Sequence, residues 1–500
     1  MSKITEFALP NSWIKVPLKE LLEIQYGKSL SAKFRVTTGS VPVSGSSGIV
    51  GCHTEALVTE DCIVIGRKGS VGAVYLFEVP CWPIDTTYFI HTPIGLLLRY
   101  TYYQLNTLAL ATLDKSTTIP GLNRDHLYDV KFALAPLKEQ TRIVEKIEEL
   151  FSDLDAGVAE LKAAQKKMAQ YRQSLLKAAV EGELTAEWRK NNKVQESGAQ
   201  LLARILAERR TRWEAKQLAK FKEQGKTPPK GWQDRYSEPV KPDAANLPGL
   251  PEGWVWASVD QCSAFEDAAI TDGPFGSNLK SAHYTESGPR VIRLKNIGEG
   301  IFIDAKAHIS EDHYLSLKKH AVEAEDIVVA MLGEDLPRSC LIPEGIAPGI
   351  VKADCARIRV KSDMLLPAFL NTCLNSQNTK QRVSSLIKGI GRPRINLQHI
   401  RGICIPLPPM AEQAQIVSII SDAFDKVDCQ VESIQFSLKQ SAAQRKNILK
   451  SAFSGQLVAQ DPSDEPASLL LERIRAKRAA QSAHDKSRQR KSKPLHKDTK

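Results

Sequence analysis

PLKEQTRIVEKIEELFSDLD at 136–155 and PMAEQAQIVSIISDAFDKVD at 409–428 are two copies of one segment, and reading them as the starts of long helices decides the fold. The copies extend without a gap over 122–185 and 395–458. Identical pairs include Asn123/Asn396, His126/His399, Pro136/Pro409, Glu139/Glu412, Gln140/Gln413, Asp155/Asp428, Arg172/Arg445 and Gly182/Gly455. Apolar residues recur three and four positions apart, beginning Val144, Ile147, Phe151, Leu154, Val158, Leu161 in the first copy and Val417, Ile420, Phe424, Val427, Val431, Ile434 in the second. Carried through about five heptads, this pattern is a coiled-coil seam. A helix over 138–181 would be roughly 65 Å long at 1.5 Å per residue. Pro136 and Pro409 stand just before the helices and Gly182 and Gly455 just after, as starts and stops should. Two helices of equal length in one chain are expected to bury their seams against each other; the alternative is that each packs on its own globule. Gln165, Ser441, Arg172 and Arg445 interrupt the seams, to fix register or to face a partner.

The duplication continues outward. LPNSW (9–13) matches LPEGW (250–254), and LLARILAERR (201–210) resembles LLERIRAKRA (470–479). Each half therefore reads as a variable globule, a long repeated helix and a charged helix. Short β-branched runs predict strands: CIVIG (62–66), GAVYLF (72–77), VIRLKNI (291–297), DIVVAML (326–332) and ICIPL (403–407). Helices are expected within 95–113 and 366–386. The predicted fold class is α+β: two mixed globules, 1–135 and 250–408, and two long helices, 136–190 and 409–458. A charged helix and Pro-rich linker fill 191–249, and a charged helix with a basic tail fills 459–500.

Length and composition exclude several classes. Five hundred residues suggest about three to four structural units. No run of about 18 apolar residues offers a membrane span, and MSKITEFALP lacks the layout of a secretory signal. The nine cysteines form no Cys-x-x-Cys pair, which argues against a zinc ribbon and suits a reducing cytoplasm. The net charge of +11 is concentrated in the helical segments and the tail, while residues 251–408 carry 18 basic and 18 acidic groups. Net charge thus says little about what the globules bind. A solvated, disordered terminus is the plain reading of the tail at 473–500.

Catalytic motifs are missing. Gly27-Lys28-Ser29 looks like the end of a phosphate loop, but Leu22 occupies the position of its first glycine. Neither Thr227-Pro228-Pro229-Lys230 nor Leu407-Pro408-Pro409-Met410 is the Asn/Asp-Pro-Pro-aromatic run of an adenine methyltransferase. There is no His-Glu-x-x-His and no Gly-x-Ser-x-Gly. Catalysis by this chain alone is not expected.

Together these features resemble the specificity (S) subunit of a type I restriction–modification enzyme. The likeness is one of layout over nearly the whole chain. It is supported locally by the helix starts, by VSGSSGIVG (43–51), IVIGRKGSVG (63–72) and PCWPIDTTYFI (80–90), and by GKTPPKGW (225–232) leading to LPEGWVW (250–256). The resemblance implies a non-catalytic, cytoplasmic protein that reads double-stranded DNA. Its two target-recognition domains would sit at opposite ends of an antiparallel coiled coil with an internal pseudo-twofold repeat. Each domain would read one half of a bipartite, asymmetric target. The helices would dock two methyltransferase subunits and two restriction/translocase subunits. S-adenosylmethionine, ATP and magnesium would belong to those partners, with no cofactor or metal on this chain. The basic tail has no place in the family pattern.

Base edges are read by Arg or Lys toward guanine and Asn or Gln toward adenine, and phosphates by short polar side chains and backbone amides in Gly-rich loops. The DNA-binding candidates in the first globule are Ser44, Ser46, Ser47, Arg67, Lys68, Lys115, Ser116 and Thr117. In the second they are Lys388, Arg392 and Arg394, with Arg293, Lys295 and Asn296 at the end of a strand. Surface cations and turn residues are the competing reading for each. Asn123 and Asn396 recur in both copies, so they are expected to be caps or backbone contacts rather than base readers. Two other functions stay open: a coiled-coil scaffold without sequence-specific DNA binding, and a fused recognition–catalysis enzyme, which the missing cofactor motifs disfavour.

Overall fold

The computed structural model describes residues 9–37, 39–114, 121–243, 245, 247–387 and 392–491. The chain forms two compact units, one made of 1–163 with 434–500 and the other of 164–433. The long helices are Leu137–Glu181 and Met410–Phe453. In the first unit Ile143 and Ile147, near the start of one helix, share a core with Ile448 and Ala452, near the end of the other. In the second unit Ile416 and Ile420 share a core with Leu175 and Ala179. Start meets end in both, so the pairing is antiparallel. The seam has the expected spacing, but Phe151, Leu154, Val158 and Leu161 are only half-buried, since one partner helix covers only one stripe.

The same clasp closes the helix ends in each unit. Gly182 and Gly455 both adopt left-handed φ, +74° and +76°, and the next amides, Glu183 and Gln456, bond back to Ala178 and Ser451 at 2.9 Å. A Cβ on Gly182 would lie 2.6 Å from Pro251, and one on Gly455 would lie 2.2 Å from Pro10. The Trp of each LPxxW turn donates Nε1–H to the buried carboxylate that opens the other long helix: Trp13 to Glu139 at 2.9 Å, Trp254 to Glu412 at 2.8 Å. Gln140 and Gln413 complete the joint. Each donates to the carbonyl before the helix (Ala135, Pro408) and accepts from a globule amide (Leu97, Leu366). The repeated Pro, Trp, Glu, Gln and Gly thus serve one structural purpose.

The globules share a strand order that their sequences do not advertise. In the first unit an antiparallel sheet runs Gln25–Tyr26, Thr87–His91, Cys62–Gly66, Val74–Phe77. In the second unit the sheet runs Ile270–Asp272, Cys355–Ile358, Ile327–Ala330, Arg338–Leu341, in the same sequence-relative order. A second sheet also repeats. Gly48–His53, Val41–Gly45 and Trp82–Pro83 correspond to His308–Ile309, Tyr284–Ile292 and Gly349–Val351, these three strands forming one antiparallel and one parallel pair in each unit, and the second unit adds Ala321–Val322 antiparallel to Gly349–Val351. The central strand Cys62–Gly66 is apolar throughout because both faces are covered. Ile63 and Ile65 join the helix-side core, and Cys62 and Val64 join a cluster with Phe77 and Phe89. A short antiparallel pair, Ile14–Pro17 with Lys131–Leu134 or Val255–Ser258 with Cys404–Leu407, closes each globule.

The expected helical stretches are shorter. One is Leu98–Leu105 followed by a 3-10 turn at Leu110–Leu113; Asn106 and Thr107 end it by bonding the Tyr102 and Gln104 carbonyls. The other breaks at Ser376, whose hydroxyl caps Gln377–Ser384 after Pro367–Asn375. The charged helices are Gly198–Glu223 and Ala467–Lys491, docked by Leu201 and Ile205 and by Leu470 and Ile474. The nine cysteines are free thiols. Among the described residues, no helix is long and apolar enough to cross a membrane, and no group of three His, Cys, Asp or Glu is gathered for a metal ion.

Candidate nucleic-acid interface

One end of the four-stranded sheet gathers four of the five described first-globule candidates. The chain leaves the strand Cys62–Gly66 into Arg67 and Lys68, whose amides bond the Thr86 carbonyl at 2.9 and 3.1 Å. The Arg67 carbonyl accepts from Leu122, and Lys68 forms a bridge to Gly121. The turn at Ser46 and Ser47 lies against the same loop. The Ser46 carbonyl accepts from the Tyr75 hydroxyl, and a Cβ on Gly66 would lie 3.2 Å from that carbonyl. Ser47 and Lys68 are exposed and Ser46 and Arg67 half-buried. Ser44 is fully buried within Val41–Gly45, so its hydroxyl faces the interior. Lys115, Ser116 and Thr117 lie outside the described residues.

The same joint exists in the second unit. Met331 takes the place of Arg67: its amide bonds the Asp354 carbonyl, and its carbonyl accepts from Ile395. Leu332 bridges Arg394 as Lys68 bridges Gly121. Arg394 pairs with Asp354 at 2.8 Å and Arg392 is exposed beside it, while Lys388 lies outside the described residues. In this unit the loop after the central strand carries Glu334 and Asp335, both exposed, where the first unit has Ser70 and Val71.

Arg293, Lys295 and Asn296 belong to the connection between Tyr284–Ile292 and His308–Ile309, the counterpart of the Ser46–Ser47 turn. The expected strand over 291–297 stops at Ile292. There Asn296, fully buried, accepts from the Arg293 amide and donates to the Ile303 and Ala305 carbonyls. The Arg293 guanidinium is likewise turned to the Ala305 and Lys306 carbonyls. Of these three, Lys295 alone is exposed. Asn123 and Asn396 are caps, accepting from Asp125 at 2.7 Å and His399 at 2.9 Å.

Sequence reading missed Tyr26 and Arg124. Tyr26 is half exposed at the sheet edge, and the Arg67 and Arg124 guanidinium carbons lie 5.4 and 4.9 Å from its ring centroid. The residues are far apart in sequence, and nothing local marks them.

The sequence pattern of the family described as "Type I restriction modification DNA specificity domain" matches residues 10–163 and 297–435. The chain is 26% identical over 495 residues to the type I restriction enzyme EcoDI specificity subunit of Escherichia coli, covering 96% of this chain and 99% of that one. It is 22% identical over 507 residues to the EcoBI specificity subunit of the same organism, covering 97% and 96%. A chain solved to show the structural basis of complex assembly and conformational transition of the type I R-M system is 16% identical. It covers 90% of this chain and 100% of that one with a TM-score of 0.59, a likeness of fold. A scaffold without sequence-specific DNA binding finds no support in these matches. More than half of the residues fall within the family pattern, and the chain belongs to the type I restriction modification DNA specificity domain family.

Proposed function

We propose that this chain is the DNA sequence-recognition subunit of a type I restriction–modification complex and performs no chemistry itself. Its globules, 1–135 and 250–408, each read one half of a bipartite, asymmetric target on double-stranded DNA. The long helices dock two methyltransferase and two restriction/translocase subunits in the cytoplasm, and those partners bring S-adenosylmethionine, ATP and magnesium. The observation that carries this reading is a shared frame with unlike rims. At the same end of the same sheet, one globule offers Lys68-Gly69-Ser70 and the other, in register, Leu332-Gly333-Glu334. Cations suit guanine acceptors and carboxylates suit the amino group of cytosine, so one scaffold supports two different half-sites. A duplicated chain also spaces its half-sites as a dimer does. Ser46, Ser47, Arg67, Lys68, Lys295, Arg392 and Arg394 are the described candidates left at accessible positions. Lys115, Ser116, Thr117 and Lys388 remain candidates on their chemistry alone.

The test is genome-wide adenine methylation in cells carrying this chain with its methyltransferase partner, against cells lacking only this chain. A new two-part motif with a fixed gap is expected. Unchanged methylation, with an active and bound partner, would overturn the reading.

A further inference from the structure

We propose that Tyr26, Arg67 and Arg124 of the first globule form a phosphate clamp that grips the DNA backbone beside one half-site and reads no base. The inference rests on the DNA-recognition reading and assigns one part of that interface. Both guanidinium carbons lie within 5.4 Å of the centroid of one half-exposed ring, and neither arginine has a carboxylate partner among the described residues. Two guanidinium charges beside one ring, without a carboxylate partner, leave a net positive charge there that an anion neutralises. Arg67 is fixed as well as stacked: its Nε and Nη2 donate to the Asp85 carbonyl at 3.3 and 2.9 Å, leaving Nη1 and one Nη2 hydrogen for a ligand. The Arg124 Nε is buried without an acceptor, so its binding capacity lies at its Nη groups. A base edge offers only partial charges against this positive charge. A phosphodiester offers a full negative charge and two free oxygens, one for each guanidinium.

The matching positions of the second globule carry no such clamp. Its hydrogen-bond and strand register aligns Tyr26 with Asp272, Arg67 with Met331 and Arg124 with Leu397, none of them a cation or an aromatic ring. The clamp therefore anchors one end of the target only.

The experiment uses the full chain assembled with its methyltransferase partner. Affinity is measured over a salt series for a duplex carrying the methylated motif and for a scrambled duplex. Arg124→Ala is expected to weaken both duplexes by the same factor and to make log K against log salt shallower by about 0.9. Arg124→Lys, which keeps the charge, is expected to restore the slope, and it serves if the alanine variant melts early. Loss confined to the motif duplex with an unchanged slope would make Arg124 a base reader and overturn the clamp. Unchanged affinity and slope would overturn it too. If the unaltered complex shows no preference for the motif duplex, the recognition reading fails separately, and the slope still judges the clamp.

Discussion

The guanidinium of Arg172, on the first long helix, pairs with the carboxylate of Asp428 on the second and lies 4.7 Å over the Phe424 ring. The repeat makes the converse pair in the other unit, where Arg445 meets Asp155 and lies 4.4 Å over Phe151. The two arginines that interrupt the seam therefore bond across it and fix the register of the antiparallel pair, whereas Ser441 donates to the Ser437 carbonyl of its own helix. Arg172 is 19% exposed and Asp428 54%, so the pair is worth about 0.5–1 kcal/mol, with the ring contact added. A double-mutant cycle of Arg172→Ala and Asp428→Ala, read by urea unfolding, is expected to give a coupling of that size. Strict additivity would show that the pair does not set the register.

Glu412 is the more costly contact. It is 1% exposed and accepts from Trp254, Thr185 and Arg189, so its loss strands three donors, one of them charged. Glu412→Ala is expected to destabilise by about 3–5 kcal/mol. Glu412→Gln, which still accepts from Trp254 or Arg189, should cost less. Comparable melting of the two variants would contradict this account.

Two glycines should respond in opposite ways to the same substitution. Gly455 has positive φ and packs on Pro10, so Gly455→Ala is expected to cost more than about 1 kcal/mol. Gly157 lies inside Leu137–Glu181 with nothing within 4 Å of an added Cβ, and Gly157→Ala should gain about 0.5–1 kcal/mol. Thermal melts of the two variants check both signs.

Burial holds the His320 imidazole below its ordinary titration range, and its Nδ1 donates to the Asp272 carbonyl at 2.5 Å. The unfolded chain then binds a proton near pH 6.5 that the folded chain refuses. Stability from this group is present above pH 6.5 and is lost as pH falls below it. His320→Asn should flatten the fall in urea midpoint between pH 7.5 and 5.5. An unchanged slope would place the loss elsewhere.

Arg392 and Arg394 border one globule's loop joint and have no counterpart in the other's half-site. Replacing both by Ala is expected to relax one half of the methylated motif and leave the other intact. Equal relaxation of both halves would remove them as base readers.

What the sequence revealed follows from how local each signal is. The long helices announce themselves because a seam repeats every few residues, and Asn123 and Asn396 because a cap needs only its own next turn. The common sheet order is not visible. It depends on partners such as Ile65 and Tyr88, whose pairing no nearby residue dictates. Ser44 and Asn296 have the right chemistry for DNA, but their side chains face the interior or bind their own loop. Tyr26 and Arg124 have no motif at all; strand pairing and a cap bring them together.

The first unit is built from both ends of the sequence, and this sets an order in time. Residues 9–163 leave the ribosome before Ile448, Ala452 and Leu470, which cover their core. The intervening 164–433 take roughly 15–50 s to synthesise at about 5–20 residues per second. During that interval the apolar faces of Ile143 and Tyr100 wait without their final cover, while the inner unit has all of its own residues by the time Ser433 emerges. The part of the protein made first is therefore the part finished last, and a nonsense codon after 433 would spare the inner unit and leave the outer one open.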